Sequence, residues 1–150
     1  MRIEVVTASR EDMRAGAAFE FEWAQETLWM PKLHSLDEVR AHYTNTVFRS
    51  RTCLAAKEGD AVLGVTAVEP QTHFIDLLYV RPQIRNRGVG SALLKMAQSI
   101  LTPFVRLWTF QSNANSHRFY KRHGFAEIRR TNGLDNDEKL PDILMEWRAV

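Results

Sequence analysis

Apolar positions along this 150-residue chain change their period several times, and each change predicts an element. Ile3 to Thr7 alternates weakly and reads as a first strand. Ser9, with Asp12 three residues on, offers a helix cap, and Ala15, Phe19, Trp23, Glu26 and Trp29 recur at turn-like spacing. A helix from Glu11 to Trp29 is expected, ended by Met30-Pro31. Ser35-Leu36-Asp37-Glu38 has the form of a capping box. It opens a second helix to about Arg49, with Val39, Tyr43, Val47 and Phe48 on one side. Thr52 to Lys57 and Ala61 to Glu69 predict two strands around the polar turn Glu58-Gly59-Asp60, leading as a meander into Phe74 to Val80, which Pro82 must end. Val89, Leu93, Met96, Ala97 and Ile100 then repeat at helical spacing up to Pro103. Phe104 to Phe110 is another apolar strand. A short helix follows, capped by Asn113 and ended by Gly124. Phe125 to Arg130 and Ile143 to Trp147 close the chain as strands around a polar loop. The order β-α-α-β-β-β-α-β-α-β-β predicts an α/β (α+β) fold in a single domain, residues 1–150.

Composition narrows the function classes. Hydrophobic residues make up 45% and charged residues 25%, ordinary for a globular protein, and no apolar run reaches the length of a membrane span. The N-terminus lacks the apolar region and cleavage site of a signal peptide, so a cytoplasmic location is expected. One cysteine, Cys53, excludes an internal disulfide, and its apolar surroundings point to the core. The five histidines show no paired ligand spacing, so no metal is expected. The acidic run Asp135-Asn136-Asp137-Glu138 lacks the spacing of a calcium loop and reads as a solvated connection. A net charge of +2 argues against a nucleic-acid partner, although Arg81, Arg85 and Arg87 crowd one turn and Arg118, Lys121 and Arg122 lie on the short helix.

That turn, Arg85-Asn86-Arg87-Gly88-Val89-Gly90, joins a strand to a helix. Glycine permits close backbone approach, and a helix N-terminus offers unpaired N–H groups with partial positive charge, so the junction suits a pyrophosphate. A nucleoside-triphosphate loop needs Lys after its last Gly, where Ser91 stands; a dinucleotide loop needs a third Gly, where Leu93 stands. What remains, [R/Q]-x-x-G-x-[G/A], resembles the coenzyme A pyrophosphate loop of the GNAT superfamily of acyl-CoA N-acyltransferases. About thirty residues downstream, the stretch from Asn113 to Phe125 is similar to that superfamily's N-x-x-A/N-x-x-x-Y-x-x-x-G-F segment. The element order also resembles the GNAT fold from end to end, with about seven strands and four helices.

The resemblance implies a set of roles. Acetyl-CoA is the expected acyl donor, and a primary amine on a small molecule or peptide the acceptor. Backbone groups of Leu78, Tyr79 and Val80 are expected to hold the pantetheine arm; those of Asn86, Arg87, Gly88, Val89, Gly90 and Ser91, with the Arg85 side chain, the pyrophosphate. Tyr120 is the expected acid for the departing thiolate, and Asn113 either touches the cofactor or caps its helix. Trp23, Trp29 and His34 fall in the region that walls the acceptor site, with core packing as the alternative for each. The general base stays open between Asp76, which a period of two puts on one face with Leu78 and Val80, and His34. A catalytically silent acyl-CoA-binding domain of the same fold is the competing reading. The resemblance also allows a homodimer.

Overall fold

The computed structural model describes residues 1–150. One mixed sheet runs in the order β1-β2-β3-β4-β5-β7-β6, built from Glu4–Thr7, Thr52–Glu58, Ala61–Glu69, Phe74–Val80, Phe104–Phe110, Ala126–Thr131 and Asp142–Arg148, numbered β1 to β7 in chain order. Four helical segments flank it: α1 (Arg10–Glu26), α2 (opening at Leu36–Ala41), α3 (Val89–Ile100) and α4 (Ala114–Arg122). No helix is long and apolar enough to cross a membrane.

Local chemistry explains the ends. Both capping boxes form: Ser9 with Asp12 at α1, and Ser35 with Glu38 at α2. Helix α1 stops at Glu26, three residues before the expected end. The Thr27 hydroxyl donates to the Trp23 carbonyl at 2.6 Å, and the Lys32 ammonium donates to the carbonyls of Ala24 and Thr27, so the terminal acceptors are satisfied without another turn. The second helix is not regular either. After Ala41 it widens into a π-helical stretch, His42–Val47, and then closes with a last α-turn, Phe48–Ser50. In α3 the buried face is Val89, Leu93, Leu94 and Ala97, whereas Met96 and Ile100, expected there, are exposed.

The two faces of the sheet carry separate cores. Met13 and Ala17 of α1, with Tyr43 and Val47, pack on Ala55, Val65 and Ala67; α3 packs Leu94 and Ala97 with Val105, Leu107 and Ile143 on the other side. Two irregularities in β4 matter for the site. Ala67 pairs with Leu77 but Val68 pairs with Ile75, so Asp76 is the extra residue of a β-bulge. The bulge shifts the period: Leu77 and Tyr79 face α1, while Ile75 joins Leu78 on the α3 side. Asp76 therefore does not simply share a face with Leu78 and Val80. The second irregularity lies toward β5. These parallel neighbours are bridged only at Phe74 and Arg106 and then diverge, splitting the sheet.

Candidate active site

The split between β4 and β5 opens a cleft of about 1030 Å³. Its walls are Ile75 to Val80 on one side and Leu107 to Phe110 on the other, with the glycine turn, α4 and the end of α1 closing around them. Because β4 has lost its β5 partner, it presents an edge of backbone donors and acceptors to this space.

The start of α3 is the second feature. Ser9, Ser35 and Asn113 each cap their helices with a side-chain oxygen, but no side chain caps α3. Its first helical bond runs from the Ala92 N–H to the Gly88 carbonyl at 3.0 Å, which leaves the N–H groups of Val89, Gly90 and Ser91 unpaired. The positive end of the helix is thus exposed to the cleft. Gly88 sits at φ +87°, in the left-handed region, and its absent Cβ would meet nothing within 4 Å, so backbone freedom is what the position demands. Gly90 answers a different need: a Cβ there would lie 3.2 Å from Cζ of Phe119 on α4.

Tyr120 lines the cleft, its ring held edge-on between Phe119 at 5.1 Å and Phe125 at 5.4 Å. Its hydroxyl has no hydrogen-bond partner in the protein and is not sealed away, so it opens on the cleft. Burial of the ring pushes its pKa well up, and the phenol keeps its proton throughout the neutral range. Tyr79 is raised too, by burial first and then by the negative charge of Glu20; its ring stands 5.8 Å from Trp23 on the α1 side. Asn113 both lines the cleft and caps α4, its Oδ1 accepting from the Ser116 N–H at 3.1 Å. Arg85 reaches the cleft in an ion pair with Glu26.

Most of the residues singled out from sequence converge here: Trp23, Asp76, Leu78, Tyr79, Val80, Arg85, Asn86, Gly88, Val89, Gly90, Ser91, Asn113 and Tyr120 all line the cleft. Arg87, Trp29 and His34 do not. Trp29 supports the wall from behind, 5.7 Å from Trp23 and 5.8 Å from Phe110. His34 is exposed, 3.8 Å from Glu38. Arg81, part of the basic turn, points elsewhere and donates to the Val62 carbonyl with its guanidinium over Phe19. Asp76 is held by Arg51, which also reaches Glu69 at 3.1 Å. Arg118 and Arg122 do face the cleft, whereas Lys121 does not. One residue went unnoticed in the sequence. Glu20 lies one turn before Trp23 among the aromatics of α1, and a carboxylate inside an apolar helix face was the available signal.

Comparison with known proteins agrees with this architecture. Residues 13–125 match the family model described as the acetyltransferase (GNAT) family, and the chain belongs to that family. A peptidyl-lysine N-acetyltransferase, YiaC of Escherichia coli strain K12, is 27% identical over 94 residues, spanning 63% of this chain and 62% of that one. Among solved structures, the apo form of YjaB from Escherichia coli superposes with a TM-score of 0.80 at 21% identity, covering 100% of both chains. The yncA structure from Salmonella typhimurium, with its cofactor acetyl-CoA, gives a TM-score of 0.72 at 17% identity over 99% of this chain and 94% of that one. These two likenesses concern the fold.

Proposed function

We propose that this protein is an acetyl-CoA-dependent N-acetyltransferase acting directly on a primary amine of a small molecule or peptide. The observation that carries the reading is the uncapped start of α3, whose free N–H groups face the same cleft as the unpaired edge of β4. An elongated ligand with a diphosphate at one end and amides along its length fits both features. Bound acetyl-CoA supplies an activated acetyl thioester.

The chain's own groups do the rest. N–H groups from Gly88 to Ser91 hold the pyrophosphate, with Arg85 beside them, and the edge of β4 at Leu78 to Val80 holds the pantetheine amides. With a thioester bound along this edge, a β4 N–H would donate to its carbonyl oxygen, a contact worth about 3 kcal/mol in comparable sites. Tyr120 donates the proton that the departing thiolate needs. Asp76, ion-paired with Arg51, orients the incoming amine, whose proton leaves through solvent.

The test is thermal unfolding with and without acetyl-CoA, for the parent and for Gly88→Asp. Aspartate tolerates the left-handed backbone better than most residues while placing a negative charge where the diphosphate binds. Acetyl-CoA at a hundredfold over its Kd adds about 2.7 kcal/mol, or about 5 to 10 °C for a chain of this size. The parent shifts and the variant does not. No shift in the parent refutes the donor assignment; a shift with no thiol release across a panel of amines refutes turnover and leaves a binding domain.

A further inference from the structure

A second, smaller cavity of about 250 Å³ lies across β4 from the cleft. Glu20 of α1, His42 and Thr46 of the π-helical stretch, Arg51, and Asp76 and Leu77 of β4 enclose it. Asp76 and Leu77 line both spaces, so the two meet at the β-bulge.

The charges in this cavity do not balance. Arg51, its one guanidinium, is already bound by Asp76 and Glu69. Glu20 has no cationic partner: its Oε1 accepts a 2.6 Å hydrogen bond from the hydroxyl of the fully buried Tyr43, a neutral donor. A half-buried carboxylate whose only hydrogen-bond donor is neutral has given up part of its hydration and can still take a cation. Burial accordingly pushes the Glu20 pKa up, and the Tyr43 hydrogen bond and the nearby His42, which lower it, offset this only in part.

We propose that the cavity is the distal acceptor subsite, holding the second ammonium group of an aliphatic diamine against Glu20. The inference rests on the acetyltransferase reading above. Size and lining favour this class: the volume lies below the roughly 300 Å³ at which drug-sized sites begin. Val47 and Leu77 give a methylene chain its apolar contact, and the polar groups around them are set for a compact donor of hydrogen bonds. The reacting amine then emerges past Asp76 and Leu77 beside the unpaired edge of β4.

Calorimetric titration with 1,5-diaminopentane and with pentylamine, each with and without coenzyme A, tests the assignment, beside thiol release from acetyl-CoA with the same two amines. The parent binds the diamine about tenfold more tightly than the monoamine, as expected of one charge-assisted contact. In Glu20→Gln, which keeps an acceptor for Tyr43, the preference disappears while stabilisation by acetyl-CoA stays at the parent's level. Equal affinity for the two amines, no binding of either, or a preference that survives Glu20→Gln would overturn the proposal. Failure of acetyl-CoA to stabilise the parent strikes instead at the donor assignment, and the diamine preference is still read by calorimetry without the coenzyme.

Discussion

Replacing Tyr120 with Phe removes one oxygen and nothing else. The aromatic packing on Phe119 and Phe125, at 5.1 and 5.4 Å between ring centres, is retained by a phenyl ring. The hydroxyl has no protein partner, so its loss breaks no hydrogen bond in the fold. Thermal stability should stay within about 0.5 kcal/mol of the parent, and acetyl-CoA binding should be unchanged. Turnover should not. A positioned proton donor contributes about 10² to 10⁴ in rate, which is about 2.7 to 5.5 kcal/mol at the transition state. Because burial raises the phenol well above its ordinary value, the donor stays protonated through the working pH range. The deficit should therefore be nearly constant from pH 6 to 9. The assay is amine-dependent thiol release under saturating acetyl-CoA, beside a melting curve of the same preparation. Parent-level turnover in a folded Tyr120→Phe would refute the acid role outright; lost turnover together with lost stability would mean that the ring's environment had been misread.

Two further outcomes test the scaffold. Gly16 on α1 packs so tightly on β3 that a Cβ there would lie 2.9 Å from Cγ1 of Val65 and closer still to Cγ2. Val65, fully buried, cannot rotate both methyls away, so Gly16→Ala should lower stability by about 1 to 2 kcal/mol in denaturant unfolding, since overpacking outweighs the helix-propensity gain of about 1 kcal/mol. A more stable variant would show that the α1 to β3 spacing is looser than described. Asp12 gives a pH signature. Burial pushes its carboxyl up, but the Ser9 backbone N–H and Lys57, 3.1 Å away, more than reverse this, and the net pKa is lowered. A lowered folded pKa gives stability that is fully present above the unfolded value near ~3.9 and fades as pH falls through the folded one. Asp12→Asn should therefore be less stable than the parent at pH 5 to 7, with the two curves converging below about pH 4. Parallel curves would show that Asp12 adds nothing through its charge.

Where the chain speaks locally, sequence and structure agree to the residue. Phe74–Val80 and Phe104–Phe110 begin and end as the pattern predicts, because Pro82, Pro103 and the polar Gln111 punctuate apolar runs. Ser9, Ser35 and Asn113 cap as their side chains allow. Departures arise where a partner decides. The bulge at Asp76 exists only in the pairing of β3 with β4, and a run as uniformly apolar as its neighbours hides a change of face. The early stop of α1 depends on Lys32, which the chain brings back from beyond the helix. Trp29 carries the helical spacing of Trp23 but lies past the last turn, so it buttresses rather than lines the cleft. His34 and Arg87 have suitable chemistry and unsuitable directions. Glu20 was missed because its significance lies in what does not neutralise it, and that is a fact of three dimensions.

The π-helical stretch His42–Val47 has an evolutionary reading. Such a turn is what an α-helix becomes when it absorbs a one-residue insertion without unravelling. Each residue turns the following chain by about 100°, so deleting one between His42 and Val47 would restore the regular repeat and swing Ser50 and Arg51 away from where they now stand. Arg51 would then leave Asp76, and the lining beyond β4 would be redrawn with no change of composition. The second cavity is in that sense a product of chain length, and relatives differing by a single residue in this helix should differ there first.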